Sequence, residues 1–254
     1  MSINIQSNAQ TTMDSLKLYH GTSVIAFLKD DTGWIVADTK VVEETNSVIT
    51  GSQTVRKIKQ TQDIFYAFTV HPIMHFNDEL IYDAFALMES TIKKEKDFNK
   101  SFTTFDSIIK SKLNDAINVL QKNNHIGTLE KYTKTSFLGF LMVQYQNGKP
   151  NYQIKSYKFQ KNIDGYETVA DPPLIMQGAY PILFLGSYEA AVKYIRSHPK
   201  LFVGFKDMRE KLICLVAEEV GANPDYVGFP IDAVEITHNG HKWYYDNMKC
   251  SITQ

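Results

Sequence analysis

Apolar residues alternate or run together over the first part of the chain, change to helical spacing in the middle, and return to strand spacing before two further helices. Leu16, Leu18, Val24, Ile25, Ala26, Phe27 and Leu28 read as one buried strand, closed by the turn Asp30-Asp31-Thr32-Gly33. Trp34-Ile35-Val36-Ala37 is a second strand, hairpin-like with the first, and Asp38 sits at its end. Residues 48–59 are strand-compatible, and the aromatic and β-branched run from Ile64 to Val70 predicts a central strand. Leu80, Ala84, Leu87, Met88 and Thr91 then recur at three- and four-residue steps, ahead of the charged stop Lys93-Lys94-Glu95-Lys96. A second helix is expected from about Thr104 to Leu120, with Phe105, Ile109, Leu113 and Ile117 on one side and Ser101 or Thr103 as N-cap.

Strands return at residues 136–144 and 151–159, joined through Asn147-Gly148, a strong hairpin signal. Asn162-Ile163-Asp164-Gly165 and Asp171-Pro172-Pro173 form a looped excursion, and Ile182 to Leu185 is a strand. A helix from Tyr188 ends near Ser197-His198-Pro199, and another runs from Asp207 to Val220. Ile231 to Ile236 and Trp243-Tyr244-Tyr245 make a last hairpin around His238-Asn239-Gly240-His241. Strands, two helices, a hairpin and strand, two helices and a hairpin describe helices packed on largely antiparallel sheets, an α+β class, and not regular βαβ alternation.

Composition narrows the function classes. The 254 residues are 43% hydrophobic with 15 Phe and 14 Tyr, enough for a substantial core. Lys plus Arg number 27 against 28 Asp plus Glu, so no polyelectrolyte signature points to nucleic acid or an anionic membrane. Cys214 and Cys250 stand outside any CxxC pair and could form at most one bridge. His71 and His75 lack an HExxH context, and no Gly-rich phosphate loop occurs, so neither a metal nor a cofactor is expected. Residues 1–15 are polar and lack the regions of a signal peptide, and no apolar run is long enough to span a membrane. The cytoplasm is therefore the expected location.

Gly21-Thr22-Ser23-Val24-Ile25-Ala26-Phe27, then Gly33-Trp34-Ile35-Val36-Ala37-Asp38-Thr39-Lys40 and Arg56-Lys57-Ile58, resemble the β-subunit family of proteasome-like N-terminal nucleophile hydrolases. The order continues through Thr135 to Phe140, Gly186-Ser187, Asp225 and Ile231 to Thr237. The resemblance implies a four-layer αββα sandwich spanning residues 22–254 as a single domain, with residues 1–21 as leader or propeptide. It implies a threonine-dependent amide or peptide hydrolase, freed by autocleavage at Gly21-Thr22, and assembly with copies of itself or related subunits.

The site residues follow from the same resemblance. Thr22 would be nucleophile and, through its released α-amine, base, because a threonine hydroxyl needs a proton acceptor to attack a carbonyl. Lys57 would supply positive charge, Asp38 would orient Lys57, and Ser187 and Asp225 would support the terminal amine. Backbone amides near His71 and Ser187 are candidates for stabilising oxyanion charge. Three positions depart from the family pattern: Lys40 stands where arginine is usual, His71 where glycine is usual, and Gly228 where a second serine is usual. The alternation Leu16, Leu18, His20, Thr22, Val24, Ala26 supports a second expectation, a noncatalytic structural or assembly subunit in which one strand crosses the proposed cleavage point.

Overall fold

In the computed structural model, which describes residues 14–21, 23–176, 182–198 and 208–246, the opening alternation divides between two sheets. Thr22 and Cys250 lie outside the described residues. Leu16–Gly21 forms β1 and Ser23–Lys29 forms β2. Thr32–Asp38 is β3, Lys40–Thr45 β4, Val48–Thr54 β5, Ile58–Thr61 β6, Ile64–Phe76 β7 and Glu79–Asp83 β8. Helices α1 (Ala84–Glu95), α2 (Phe98–Lys122) and the short α3 (Ile126–Lys131) follow. Strands β9 (Leu138–Gln146), β10 (Lys149–Asn162), β11 (Gly165–Ala170), β12 (Leu174–Met176) and β13 (Ile182–Gly186) come next. Helices α4 (Glu189–Ser197) and α5 (Met208–Ala222) then precede β14 (Ile231–Thr237) and β15 (Gly240–Asp246).

Among the described residues the larger sheet has the order β11-β10-β9-β7-β1-β4-β5, with β6 and β8 also on β7, and the smaller has the order β12-β13-β2-β3-β14-β15. Every pairing is antiparallel. Three apolar cores separate four layers. Phe105, Ile109, Leu113 and Ile117 of α2 pack with Met88 of α1 on the larger sheet. Val24, Ile35, Ala67 and Leu141 meet between the sheets. Leu212, Leu215 and Val216 of α5 cover Ile25, Val36 and Ala233 of the smaller sheet. The fold is thus an α+β sandwich of antiparallel sheets flanked by helices.

Several local expectations shift. The single strand expected from Leu16 to Leu28 is two, because β1 pairs with β4 and β7 while β2 pairs with β3 and β13. Periodicity reports burial, and strands buried on both faces look alike whichever sheet holds them. Helix α2 begins at Phe98, earlier than expected, since the Asp97 carboxylate accepts from Lys100 N–H at 2.8 Å and caps it. Ser101 and Thr103 are already inside that helix. The hairpin turn at Asn147-Gly148 is as expected, with φ of 53° and 80°.

Candidate functional site

The buried Asp38 carboxylate at the end of β3 gathers four donors among the described residues. Its Oδ1 accepts from Lys57 Nζ at 2.8 Å and from Ser23 N–H at 3.0 Å. Its Oδ2 accepts from Lys40 N–H at 3.1 Å and Gly228 N–H at 3.3 Å. Lys57 is 1% exposed, and burial holds its ammonium below the ordinary lysine range against the opposing pull of Asp38. The pair therefore grips the first residue of β2, directly after the position expected as nucleophile. On the other side of that position, a Cβ on Gly21 would lie 3.2 Å from Phe68 O and 3.9 Å from Lys57 Cδ, so only glycine fits there without displacement.

A cavity of about 620 Å³ opens beside Gly21, with His20, Thr69, Val70, Ser187 and Tyr226 in its wall. Val70 pairs with Gly21 at a register shift and has φ of 66°, a conformation that β-branched residues avoid. Ser187 is half-buried and precedes Tyr188, the N-cap of α4, whose side chain makes no capping bond. Asp225 is exposed, and its neighbours Asn223 and Tyr226 line the cavity in its place. The fold thus brings Asp38 and Lys57 against the junction and Ser187 into the wall, and leaves Asp225 at the surface.

Two features of the site are set by contacts distant in sequence. The buried Glu219 of α5 accepts from Ala191 N–H at 2.9 Å and from Asn223 Nδ2 at 3.1 Å, supplying from a distance the cap that α4 lacks. Desolvation pushes the Glu219 carboxyl up from its usual range. The signal was the alanine at the third position after Ser187, where a capping box needs Glu or Gln. The second feature is a buried polar cluster around β1. His20 Nε2 lies 3.0 Å from Glu44 Oε2, and its ring centroid lies 4.2 Å from that of His71 and 5.2 Å from that of Tyr226. The His20 contact is the chief cause holding the Glu44 carboxyl below its usual range.

His71 is engaged through its backbone and its Nε2. Its N–H donates to Phe137 O at 3.1 Å, its carbonyl accepts from Tyr82 Oη at 2.7 Å, and its Nε2 hydrogen-bonds Tyr132 Oη. Full burial pushes the imidazole well below its ordinary pKa, so it stays neutral. The amide of His71 itself is therefore already occupied. The stem of Lys40 accounts for Gly228, since a Cβ at residue 228 would lie 2.9 Å from it. That stem extends until Nζ donates to Pro224 O at 2.6 Å. Among the described residues, no group of three His, Cys, Asp or Glu could hold a metal, and no helix is long and apolar enough to cross a membrane.

No protein-family model and no curated protein sequence matches the chain. Solved structures do. Anbu (ancestral beta-subunit) from Yersinia bercovieri is similar at 10% identity over 89% of this chain and 88% of that one, with a TM-score of 0.50. An Anbu (Gly-1) mutant from Hyphomicrobium sp. strain MC1 is similar at 12% identity over 90% of this chain and 89% of that one, also at 0.50. At such identities the likeness is one of fold, and it extends over nearly the whole of each chain.

Proposed function

We propose that this chain keeps its Gly21-Thr22 bond and serves as a noncatalytic structural or assembly subunit with a proteasome-like fold. The placement of β1 carries this reading. The strand lies inside the larger sheet, with β4 on one edge and β7 on the other. Leu16, Leu18 and His20 are buried beneath it. An N-terminal threonine mechanism requires the bond after Gly21 to be cut and the new amine to be free. Cutting alone would leave β1 held by two ladders, with a new Gly21 carboxylate beside that amine; the carboxylate would favour the protonated amine, which cannot act as base. Expelling β1 would unpair two sheet edges and expose Leu16 and Leu18, each worth about 1.5–3 kcal/mol of burial. Those losses are large against a total stability on the order of 5–15 kcal/mol.

One observation favours a second reading, an autoprocessed threonine hydrolase acting on peptide or small amide bonds. Lys57 and Asp38 meet at the residue after Thr22, as such an enzyme would need. There Thr22 is nucleophile and base, Lys57 supplies positive charge, Asp38 orients it, and Ser187 and Asp225 support the amine. Incubation with a hydroxyl-directed β-lactone and a panel of fluorogenic peptide amides separates the two. The noncatalytic reading expects no adduct at Thr22 and no turnover; turnover that disappears in Thr22→Ala would overturn it.

A further inference from the structure

Cys214 is buried, yet it sits on the side of α5 that the core does not cover. The apolar cluster over the smaller sheet takes Leu212, Ile213, Leu215 and Val216 from this helix. Residues three and four apart share a helix face, so Cys214 belongs with Glu210, Lys211, Ala217 and Glu218. Glu210 is exposed, and the other three are half-buried. Cys214 itself is only 3% exposed. A small side chain in a row that meets solvent needs a cover that the sandwich core does not supply. Nor is its sulfur a free thiol, for it is disulfide-bonded.

The chain holds one other cysteine, Cys250. Strand β15 brings the chain within reach. Its Tyr244 touches the first turn of α5, where the Arg209 guanidinium lies 4.8 Å from the ring centroid. Asp246, the last residue of β15, stands opposite Ile231, and Ile231 belongs to the cluster beneath α5. The four residues from Asp246 to Cys250 span at most about 13–14 Å. That exceeds the diameter of a helix with its side chains, about 10–12 Å.

We propose that Cys214 and Cys250 form a structural disulfide that straps the segment after β15 across the outer face of α5. Among the described residues β15 pairs with β14 alone, at the edge of the smaller sheet. The bond closes the loop of residues 214–250, which carries β14, β15 and the backbone from Gly228 to Pro230. Gly228 N–H donates to Asp38, and Pro230 O accepts from the N–H and Oγ1 of Thr39. One cross-link therefore braces both the edge strand and one wall of the Asp38 site. The bond forms by exchange with a small-molecule disulfide: the thiolate of one cysteine attacks it and releases one thiol, and the second cysteine displaces the other thiol from the mixed disulfide. Two cysteine S–H groups become one S–S bond, and the oxidant leaves as two thiols. With no third cysteine in the chain to reopen it, the bond is a brace and not a catalytic pair. The inference is independent of whether Gly21-Thr22 is cut.

Iodoacetamide labelling in denaturant, read by intact mass, tests the bond on the full chain after incubation with oxidised glutathione. No label is expected before reduction and two after it, and non-reducing peptide mapping joins the Cys214 and Cys250 peptides within one chain. Reduction lowers the urea midpoint, with the folding equilibrium constant falling by roughly a hundred- to thousandfold, the loss expected on opening a loop of this size. Cys250→Ser falls to that same midpoint with or without reductant. In the folded Cys250→Ser chain, Cys214 labels without denaturant, because the strap no longer covers the outer face of α5. Labels on the unreduced chain, glutathione left on both cysteines, a bond between two chains, or a reduced chain as stable as the oxidised one overturns the proposal. A Cys214 that labels in Cys250→Ser only after unfolding belongs to the core, and overturns it as well. The mass and mapping results come from the wild-type chain, so they decide the pairing even where the variant does not fold.

Discussion

Removing Asp38 should destabilise the protein more than removing Lys57, although the two form one ion pair. Lys57→Met leaves a buried carboxylate that still accepts from the N–H groups of Ser23, Lys40 and Gly228. Asp38→Ala takes the carboxylate from a buried ammonium and also deprives those three backbone donors of an acceptor. Breaking a buried pair from one side costs about 3–5 kcal/mol, and each buried unsatisfied donor adds about 1–3 kcal/mol where water cannot reach it. Lys57→Met is therefore expected at about 3 kcal/mol, and Asp38→Ala at about 5 kcal/mol or more. The double variant should be less destabilised than the sum, because no buried ammonium then lacks its counter-charge. Urea unfolding followed by the fluorescence of Trp34 and Trp243 measures all three. A Lys57→Met variant within about 0.5 kcal/mol of wild type, the range of an ordinary surface substitution, would refute the buried pairing.

Glu219→Ala removes the acceptor for Ala191 N–H, so a loss of about 1–2 kcal/mol is expected, read as a lower urea midpoint. Gly139→Ala places a Cβ 2.7 Å from Thr69 Oγ1 and 3.0 Å from Leu185 Cδ2, on opposite sheets. The crowding should cost about 1–3 kcal/mol, seen as a lower melting temperature. Glu44 has its folded pKa lowered beneath the ordinary 4.5, chiefly by its close contact with His20. Its contribution is therefore complete above pH 4.5 and is lost as pH falls through the lowered folded value. In melts recorded from neutral to acid pH, the gap between wild type and Glu44→Gln should close on the acid side.

Much of the layer order was legible because burial leaves a period in the sequence. The α2 face of Phe105, Ile109, Leu113 and Ile117 and the Asn147-Gly148 turn needed only local rules. Asp38 and Lys57 were legible as candidates through resemblance, and they do meet in space. What periodicity could not convey was which sheet a strand joins, and so Leu16–Gly21 looked continuous with β2 when it is the central partner of β4 and β7. Long-range satisfaction of polar groups was equally hidden. Glu219 reaches α4 from another helix, and His71 spends its amide on Phe137, far along the chain. Gly228 read only as a departure, whereas the stem of Lys40 packed against it leaves no room for a Cβ.

The central claim is that β1 stays joined to β2 through Gly21-Thr22. Intact mass measurement with N-terminal sequencing of the purified chain, before and after prolonged incubation at high concentration, tests it most directly. The account predicts a single species in which the Gly21-Thr22 bond persists throughout. A product whose sequence begins at Thr22 would contradict it.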